Sequence, residues 1–277
     1  MPGLPPETDW DSGTGLKGYV WHAPEPRAAL LMQHGYAEHA LRYVERYSRL
    51  IPHLVAAGFS VHTLDMHGHG GSPGRRGGVD VTQAVRAHIV ARRALSAPDR
   101  PLFLFGHSLG GLVTAASVAR EPQDVAGVVL SSPALLIESS APLRFAARIL
   151  SRLMPGLGVR TPQPPEGLSR LAEEVAAFMA DPAIYRGKIP AITGATALAE
   201  SHAAWTRYPG WAAPTLIFHG NADLFTDPQG SVRFADTIRS ADKELILVPE
   251  GRHELLNDHG REALLETVLA WLRQRMA

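Results

Sequence analysis

Residues 103–112 of this 277-residue chain, Phe103-Leu104-Phe105-Gly106-His107-Ser108-Leu109-Gly110-Gly111-Leu112, constrain its fold more than any other stretch. An apolar run that reads as a buried strand ends at Gly106, and an apolar, alanine-rich run that reads as a helix begins just past Ser108. A serine on so sharp a strand-to-helix turn needs small neighbours, which is what the pattern G-x-S-x-G supplies. The turn lifts the hydroxyl clear of the sheet, and the unpaired N–H groups of the helix start point at the space in front of it. Ser108 is therefore the candidate nucleophile.

The same pattern recurs at Gly70-Gly71-Ser72-Pro73-Gly74, but the copies differ. Pro73 has no N–H to offer an oxyanion, and the glycines and arginines that follow read as loop. Ser72 is read as a turn residue.

Strand and helix alternate along most of the chain. Apolar runs at 28–33, 59–64, 102–105, 125–131, 215–219 and 244–248 read as strands, and helical spacing recurs at 41–57 (interrupted by Pro52), 81–97, 109–120, 228–239 and 261–273. This rhythm predicts an α/β fold with a mostly parallel sheet covered by helices on both faces. It breaks between Pro133 and Tyr208, where no strand is evident and prolines cluster at 155, 162, 164 and 165. The expected organisation is a core of 1–132 and 209–277 with a helical cap, 133–208, inserted between the sixth and seventh core strands. Within it, Leu143, Phe145, Ala146, Ile149, Leu150, Leu153 and Met154 fall near one helical face and Arg144, Arg148 and Arg152 along another. Such a helix packs on the core with a solvated arginine row, or touches lipid or walls an apolar tunnel, and the two readings are compatible.

Composition narrows the function classes. Lysines plus arginines equal aspartates plus glutamates at 27 each, which gives nucleic acid no global field to bind. The chain has no cysteine, so disulfides and thiolate metal sites are out and a reducing compartment fits. Met1-Pro2-Gly3-Leu4-Pro5-Pro6-Glu7 lacks a basic segment followed by an apolar one, and no apolar run spans a bilayer. A soluble, cytoplasmic protein is expected. Of the 13 histidines, His67-Gly68-His69 comes nearest to ligand spacing, yet glycines surround it and Asp65 is the sole acid nearby. No metal and no cofactor are expected.

A serine hydroxyl needs a base, and the base a carboxylate to fix its tautomer. Reactive groups in such sheets gather beyond the carboxyl ends of the strands, and after a G-x-S-x-G turn the chain order is Ser, acid, His. Asp223 lies in the turn after the strand ending at His219, whereas Asp227 precedes Pro228 and reads as a helix N-cap. His253 lies in the loop after the strand ending at Val248; His259 sits at the start of the last helix. The predicted set is Ser108, Asp223 and His253. The Leu109 N–H is one expected oxyanion donor, and the loop after the third strand, with His34-Gly35, offers the Tyr36 N–H as the other. Glu38 reads either as a helix-start carboxylate or as a group that fixes this loop.

Taken together, His34-Gly35-Tyr36-Ala37-Glu38-His39-Ala40-Leu41-Arg42-Tyr43, Gly68-His69-Gly70-Gly71-Ser72-Pro73-Gly74, Gly106-His107-Ser108-Leu109-Gly110-Gly111, Asp181-Pro182 with Tyr185 and Gly187, and His253-Glu254-Leu255-Leu256-Asn257 resemble the monoacylglycerol lipase and lysophospholipase-like branch of the α/β-hydrolases, from about residue 16 to the C-terminus. Leu109 and Ala183 depart from the family pattern, where methionine and leucine are frequent. The resemblance implies ester hydrolysis on single-chain lipids through an acyl-serine, the same triad, a lid-like cap that meets membranes, and no cofactor. The pocket and its supports are expected to draw on His34, Gly35, Glu38, Arg42, His107, Ile137, Phe145, Ile149 and Tyr185. Alternatives are a lysophospholipase or broad carboxylesterase and, more remotely, a non-catalytic ligand-binding protein of this fold.

Overall fold

A computed structural model describes residues 8–276. The seven N-terminal residues read above for a targeting signal lie outside the described residues. The chain opens with two short strands that are not among the apolar runs, β1 (Thr8–Asp9) and β2 (Gly18–Trp21), followed by β3 (Ala28–Gln33). Next come α1 (Arg42–Glu45), α2 (Leu50–Ala56), β4 (Phe59–Leu64), α3 (Val81–Leu95), β5 (Leu102–His107), α4 (Ser108–Arg120) and β6 (Gly127–Ser131).

The segment after β6 holds α5 (Ala141–Leu153), β7 (Gly158–Arg160), α6 (Ala172–Ala180), β8 (Ile189–Pro190) and α7 (Ala191–Trp205). Strand and helix alternation resumes with β9 (Thr215–Gly220), α8 (Pro228–Thr237), β10 (Lys243–Val248) and α9 (Arg261–Gln274). The eight-stranded sheet runs β1-β2-β4-β3-β5-β6-β9-β10. Its β4-to-β10 body is parallel, and β2 pairs antiparallel with β4.

Each parallel strand presents alternate side chains to two separate cores. Leu30, Met32, Phe103 and Phe105 pack with residues of α2 and α9 on one face; Ala29, Leu31, Leu102 and Leu104 pack with residues of α3, α4 and α8 on the other. Burial on both faces is why these strands read as unbroken apolar runs rather than alternating ones.

Two expectations are corrected. The helical stretch 41–57 is broken at 46–49 and not at Pro52. Tyr47, Ser48 and Arg49 take left-handed φ values of 53°, 53° and 54°, and this turn is tied down where Asn257 Oδ1 accepts the Tyr47 N–H and Ser48 Oγ donates to the Leu256 carbonyl at 2.8 Å. Pro52 sits in the first turn of α2, where a missing N–H costs no intrahelical bond. Likewise, the segment between β6 and β9 is not free of strands. β7 and β8 form an antiparallel pair, Gly158 opposite Pro190 and Arg160 opposite Ile189, too short and too far apart in sequence to leave a periodic signal. Among the described residues no helix is long and apolar enough to cross a membrane.

Candidate active site

β5 and α4 meet at Ser108, whose φ of +54° is unusual for a non-glycine residue. The bend brings the strand end against the helix so closely that a Cβ at Gly106 would sit 2.6 Å from Thr114 Oγ1. A Cβ at Gly110 would sit 2.3 Å from the Gln33 and His34 carbonyl oxygens. Only glycine permits that approach, which explains both glycines of the motif.

The structure brings Ser108, Asp223 and His253 together from the ends of β5, β9 and β10. His253 Nε2 lies 2.9 Å from Ser108 Oγ, and its Nδ1 lies 2.7 Å from Asp223 Oδ2. The carboxylate requires the proton on Nδ1, so Nε2 is left to accept from the serine hydroxyl. Burial alone would lower the His253 pKa, but the charge and hydrogen bond of Asp223 outweigh it and the net shift is upward. Burial would raise the Asp223 carboxyl, yet His253 and the hydrogen bonds from His219 and His253 hold it far below the usual carboxylate range.

Asp223 is fixed by more than its histidine. Its Oδ1 accepts the Phe225 and Thr226 N–H groups at 2.7 and 3.1 Å, and its Oδ2 receives Thr226 Oγ1 at 2.8 Å and His219 Nε2 at 3.1 Å. Phe225 stacks on the His253 ring, with centroids 4.9 Å apart. His219, Phe225 and Thr226 were not singled out from sequence, although all three lie within four residues of the predicted acid. Asp227 caps α8, its Oδ1 accepting the Gln229 N–H at 2.9 Å, and His259 is exposed.

The loop after β3 faces Ser108. Its backbone N–H groups are shared out among side chains: Gly35 to Glu38 Oε1 at 2.7 Å, Ala37 to His69 Nε2 at 3.0 Å, Ala40 to Asp65 Oδ1 at 2.8 Å. No described acceptor takes the Tyr36 N–H or that of Leu109 in the first turn of α4. His34 is a buried loop residue: its Nδ1–H donates to the Gly35 carbonyl at 2.7 Å and its Nε2 accepts the Met66 N–H at 2.9 Å. His69 has both ring nitrogens engaged with backbone, and Ser72 bridges the Lys17 N–H and the Asp65 carbonyl, which is a turn-stitching role.

Behind the loop lies a buried ionic cluster. The guanidinium of Arg42 reaches Glu38 Oε2 at 2.6 Å and Glu254 at 3.0 and 3.2 Å, while Tyr43 and Tyr47 donate their hydroxyls to Glu38 at 2.8 and 2.9 Å. Burial would raise the Glu38 pKa, but Arg42 and then His107 pull it down to about 2. Glu38 thus holds the loop by accepting the Gly35 N–H, and α1 has no side-chain cap. His107 packs 4.9 Å from the His253 ring, and its Nδ1 lies 3.2 Å from the Ser131 carbonyl. Burial and the neighbouring His253 lower its pKa to about 4, so it is neutral at physiological pH.

A cavity of about 500 Å³ opens onto Ser108 and His253. Gly35, Tyr36, Glu38, His107 and Tyr185 line it, together with Pro162, Pro164, Leu168, Phe178, Met179, Ile189 and Phe225. Tyr185 is joined to the loop by its N–H, which donates to the Ala37 carbonyl at 2.8 Å. Ile137, Phe145 and Ile149 do not line this cavity. α5 packs against α7, which leaves Phe145 66% and Ile149 43% exposed, and Ile137 lines a separate surface groove with Trp205 and Arg233. A helical hydrophobic face records that its residues suit an apolar contact, not which surface, if any, of this chain supplies it.

The model of the family described as serine aminopeptidase, S33, matches residues 24–260. Monoacylglycerol lipase of Mycolicibacterium smegmatis is 33% identical over 90% of this chain and 89% of its own length. The chain belongs to the monoacylglycerol lipase-like family of serine α/β-hydrolases. Human monoglyceride lipase is 30% identical, covering 91% of this chain and 84% of its own. Among solved structures, the monoacylglycerol lipase of Paleococcus ferrophilus superposes with a TM-score of 0.84 at 32% identity, over 94% of this chain and 99% of that one. The similarity to these lipases extends over nine-tenths or more of this chain.

Proposed function

We propose that this protein hydrolyses the ester bond of monoacylglycerols, releasing fatty acid and glycerol, with Ser108 as nucleophile, His253 as base and acid, and Asp223 as the group that orients the base. The observation that carries the reading is the hydrogen-bonded chain from Ser108 Oγ through His253 to Asp223 Oδ2, at 2.9 and 2.7 Å, opening on a cavity walled by proline, phenylalanine and methionine. Ser108 Oγ attacks the ester carbonyl as its proton passes to His253 Nε2, and the oxyanion faces the N–H groups of Tyr36 and Leu109. His253 then protonates the departing glycerol oxygen. Water, deprotonated by the same ring, attacks the acyl-serine and frees the acid. Each methylene of the acyl chain buried in the cavity contributes roughly 0.8 kcal/mol.

Residues 133–208 act as the cap. Their exposed apolar side chains, with Leu143 54%, Phe145 66% and Leu153 76% exposed on α5, support a peripheral contact with the lipid surface that presents the substrate. A peptidase reading would need a carboxylate free to hold a substrate ammonium. The two glutamates of the cavity, Glu38 and Glu254, are both engaged by Arg42, which favours the ester.

Fatty-acid release is to be measured on a medium-chain monoacylglycerol, a lysophosphatidylcholine, a triacylglycerol and a short soluble ester, with the intact protein and Ser108→Ala. Preference for the monoacylglycerol, lost in Ser108→Ala, is the expected result. Activity confined to the short ester discards the lipid substrate, and no activity together with no fluorophosphonate labelling of Ser108 leaves only a binding role.

A further inference from the structure

The carboxylate of Asp223 is shared between two imidazoles, and ester cleavage accounts for only one of them. His219, next to last in β9, is wholly buried. Its Nε2 lies 3.1 Å from Asp223 Oδ2, the same oxygen that receives His253 Nδ1–H at 2.7 Å. The chain turns back after the strand, where the Asp223 N–H donates to the Gly220 carbonyl at 3.2 Å, and this turn returns the carboxylate to the ring four residues before it.

The direction of the second contact follows from its partners. An ionised carboxylate has no proton to give, so His219 Nε2 carries one. On the other side of the ring, Nδ1 lies 2.7 Å from Ser231 Oγ on α8, a hydroxyl with no other partner among the described residues. The hydroxyl donates there and fixes the Nε2–H tautomer. Asp223 therefore faces two donors at Oδ1, the Phe225 and Thr226 N–H groups, and three at Oδ2, from His253, Thr226 Oγ1 and His219. A carboxylate offers about four acceptor sites, roughly two on each oxygen. At Oδ2 the donors outnumber the sites, so what His219 takes is withdrawn from His253.

The other titratable or charged groups about His253 are His107 from β5, Glu254 from its own loop, and Glu38 with Arg42 from the loop after β3. None of them hydrogen-bonds to Asp223. The hydrogen bond from His219 is among the interactions that hold the Asp223 carboxyl far below its usual range, and a carboxylate stabilised by other donors binds its histidine proton less strongly.

We propose, resting on the triad assigned above, that His219 is a positioning residue for the acid: it takes up part of the acceptor capacity of Asp223 Oδ2 and so holds the basicity of His253 below the value that an unshared carboxylate would impose.

The test follows the rate at which a fluorophosphonate modifies Ser108 between about pH 5 and 9, a readout of the base that needs no particular ester. His219→Phe removes the donor and keeps a ring. Its acid limb is expected to rise by about half a pH unit or more, opposite in direction to Asp223→Asn, because an unshared carboxylate favours the protonated His253. His219→Gln, which supplies an amide donor, should bring the limb back toward the wild-type position. A limb that stays in place or falls in His219→Phe, whatever the loss of rate, is what packing alone would give and overturns the inference while the triad stands. An equal rise in His219→Gln overturns it too. The wild-type protein supplies a second reading that needs no fold of His219→Phe. Nitrogen NMR of labelled histidine at about pH 8, assigned by the signal lost in His219→Gln, should show the Nε2–H tautomer of His219, and the Nδ1–H tautomer would overturn the inference. Absence of Ser108 labelling in the wild-type protein at every pH sinks the triad reading itself.

Discussion

His69 Nε2 accepts the Ala37 N–H at 3.0 Å, and this contact fixes the residue directly after Tyr36, the proposed oxyanion donor. The acceptor role is secured from the other side of the ring, where Nδ1–H donates to the His67 carbonyl at 2.9 Å. Burial, with His34 nearby, lowers the His69 pKa to about 3, so the ring stays neutral and able to accept. His69→Phe should reduce kcat about tenfold to a hundredfold, less than or comparable to deleting an oxyanion donor outright. KM should change less than about twofold, since the contact shapes the transition state more than the bound ester. His69→Gln, which keeps an acceptor, should recover part of kcat. Steady-state kinetics on one soluble ester checks all three expectations, and a change in KM alone would remove His69 from the oxyanion argument.

The pH profile reports the His253–Asp223 pair. Because Asp223 raises the His253 pKa above its ordinary 6.5, the protonated and inactive ring persists to higher pH. The acid limb of kcat/KM is therefore expected above pH 6.5. Asp223→Asn removes the negative charge and no longer demands a proton on Nδ1. Turnover should fall about 10⁴-fold, and the residual activity should show an acid limb shifted downward. Asp227→Ala, by contrast, loses a helix cap and about 1 kcal/mol of stability, with kcat unchanged. If Asp227→Ala abolished turnover and Asp223→Asn did not, the assignment of the acid would be reversed.

How much of this was legible beforehand follows from which interactions are local. The strands 28–33 and 59–64 match β3 and β4 in full because both faces of the sheet are covered and the apolar run is continuous. Ser108, Asp223 and His253 could be named because chain order and strand ends restrict the choice. β2 is a four-residue strand and β1 a two-residue one, too short to display a period. The partners of Arg42 were illegible for a different reason. Its contact with Glu254 spans 212 residues, and nothing in the local sequence of either residue records the other. The lining of the cavity at Ser108 was illegible on the same ground, since Phe178, Met179 and Ile189 reach it only through the packing of α6 and the β7–β8 pair.

The exposed face of α5 makes a direct prediction about lipid surfaces. Phe145 and Leu153 are 66% and 76% exposed, and neither lines the cavity at Ser108. Replacing both with serine should lower the fraction of protein sedimenting with anionic vesicles several-fold, as buried apolar area is lost from the contact. Turnover of a soluble ester should stay within about twofold. Arg144→Gln combined with Arg148→Gln and Arg152→Gln should weaken sedimentation chiefly at low salt, because screening already removes that attraction at high salt. Unchanged sedimentation in both variants would leave α5 with a packing role alone.

Arg42 bears on stability as well as on the site. It neutralises Glu38 and Glu254 in a region where all three side chains are buried, and removing one partner of such a cluster leaves charge without compensation. Arg42→Met should destabilise the fold by about 3–5 kcal/mol at neutral pH. The sign of the pH dependence separates this from a simple packing loss. In the wild-type protein the Glu38 pKa is lowered from 4.5 to about 2, so its contribution is fully present above pH 4.5 and is lost as pH falls toward 2. In Arg42→Met the same carboxylates are buried without a cation, their pKa values rise above the unfolded ones, and folding becomes linked to proton uptake. The variant should then gain stability as pH falls from 8 to 5, where the wild-type cluster contributes no such gain. Urea unfolding at those two pH values measures the difference, and an equal loss at both would mean that Arg42 acts through its packing and not through its charge.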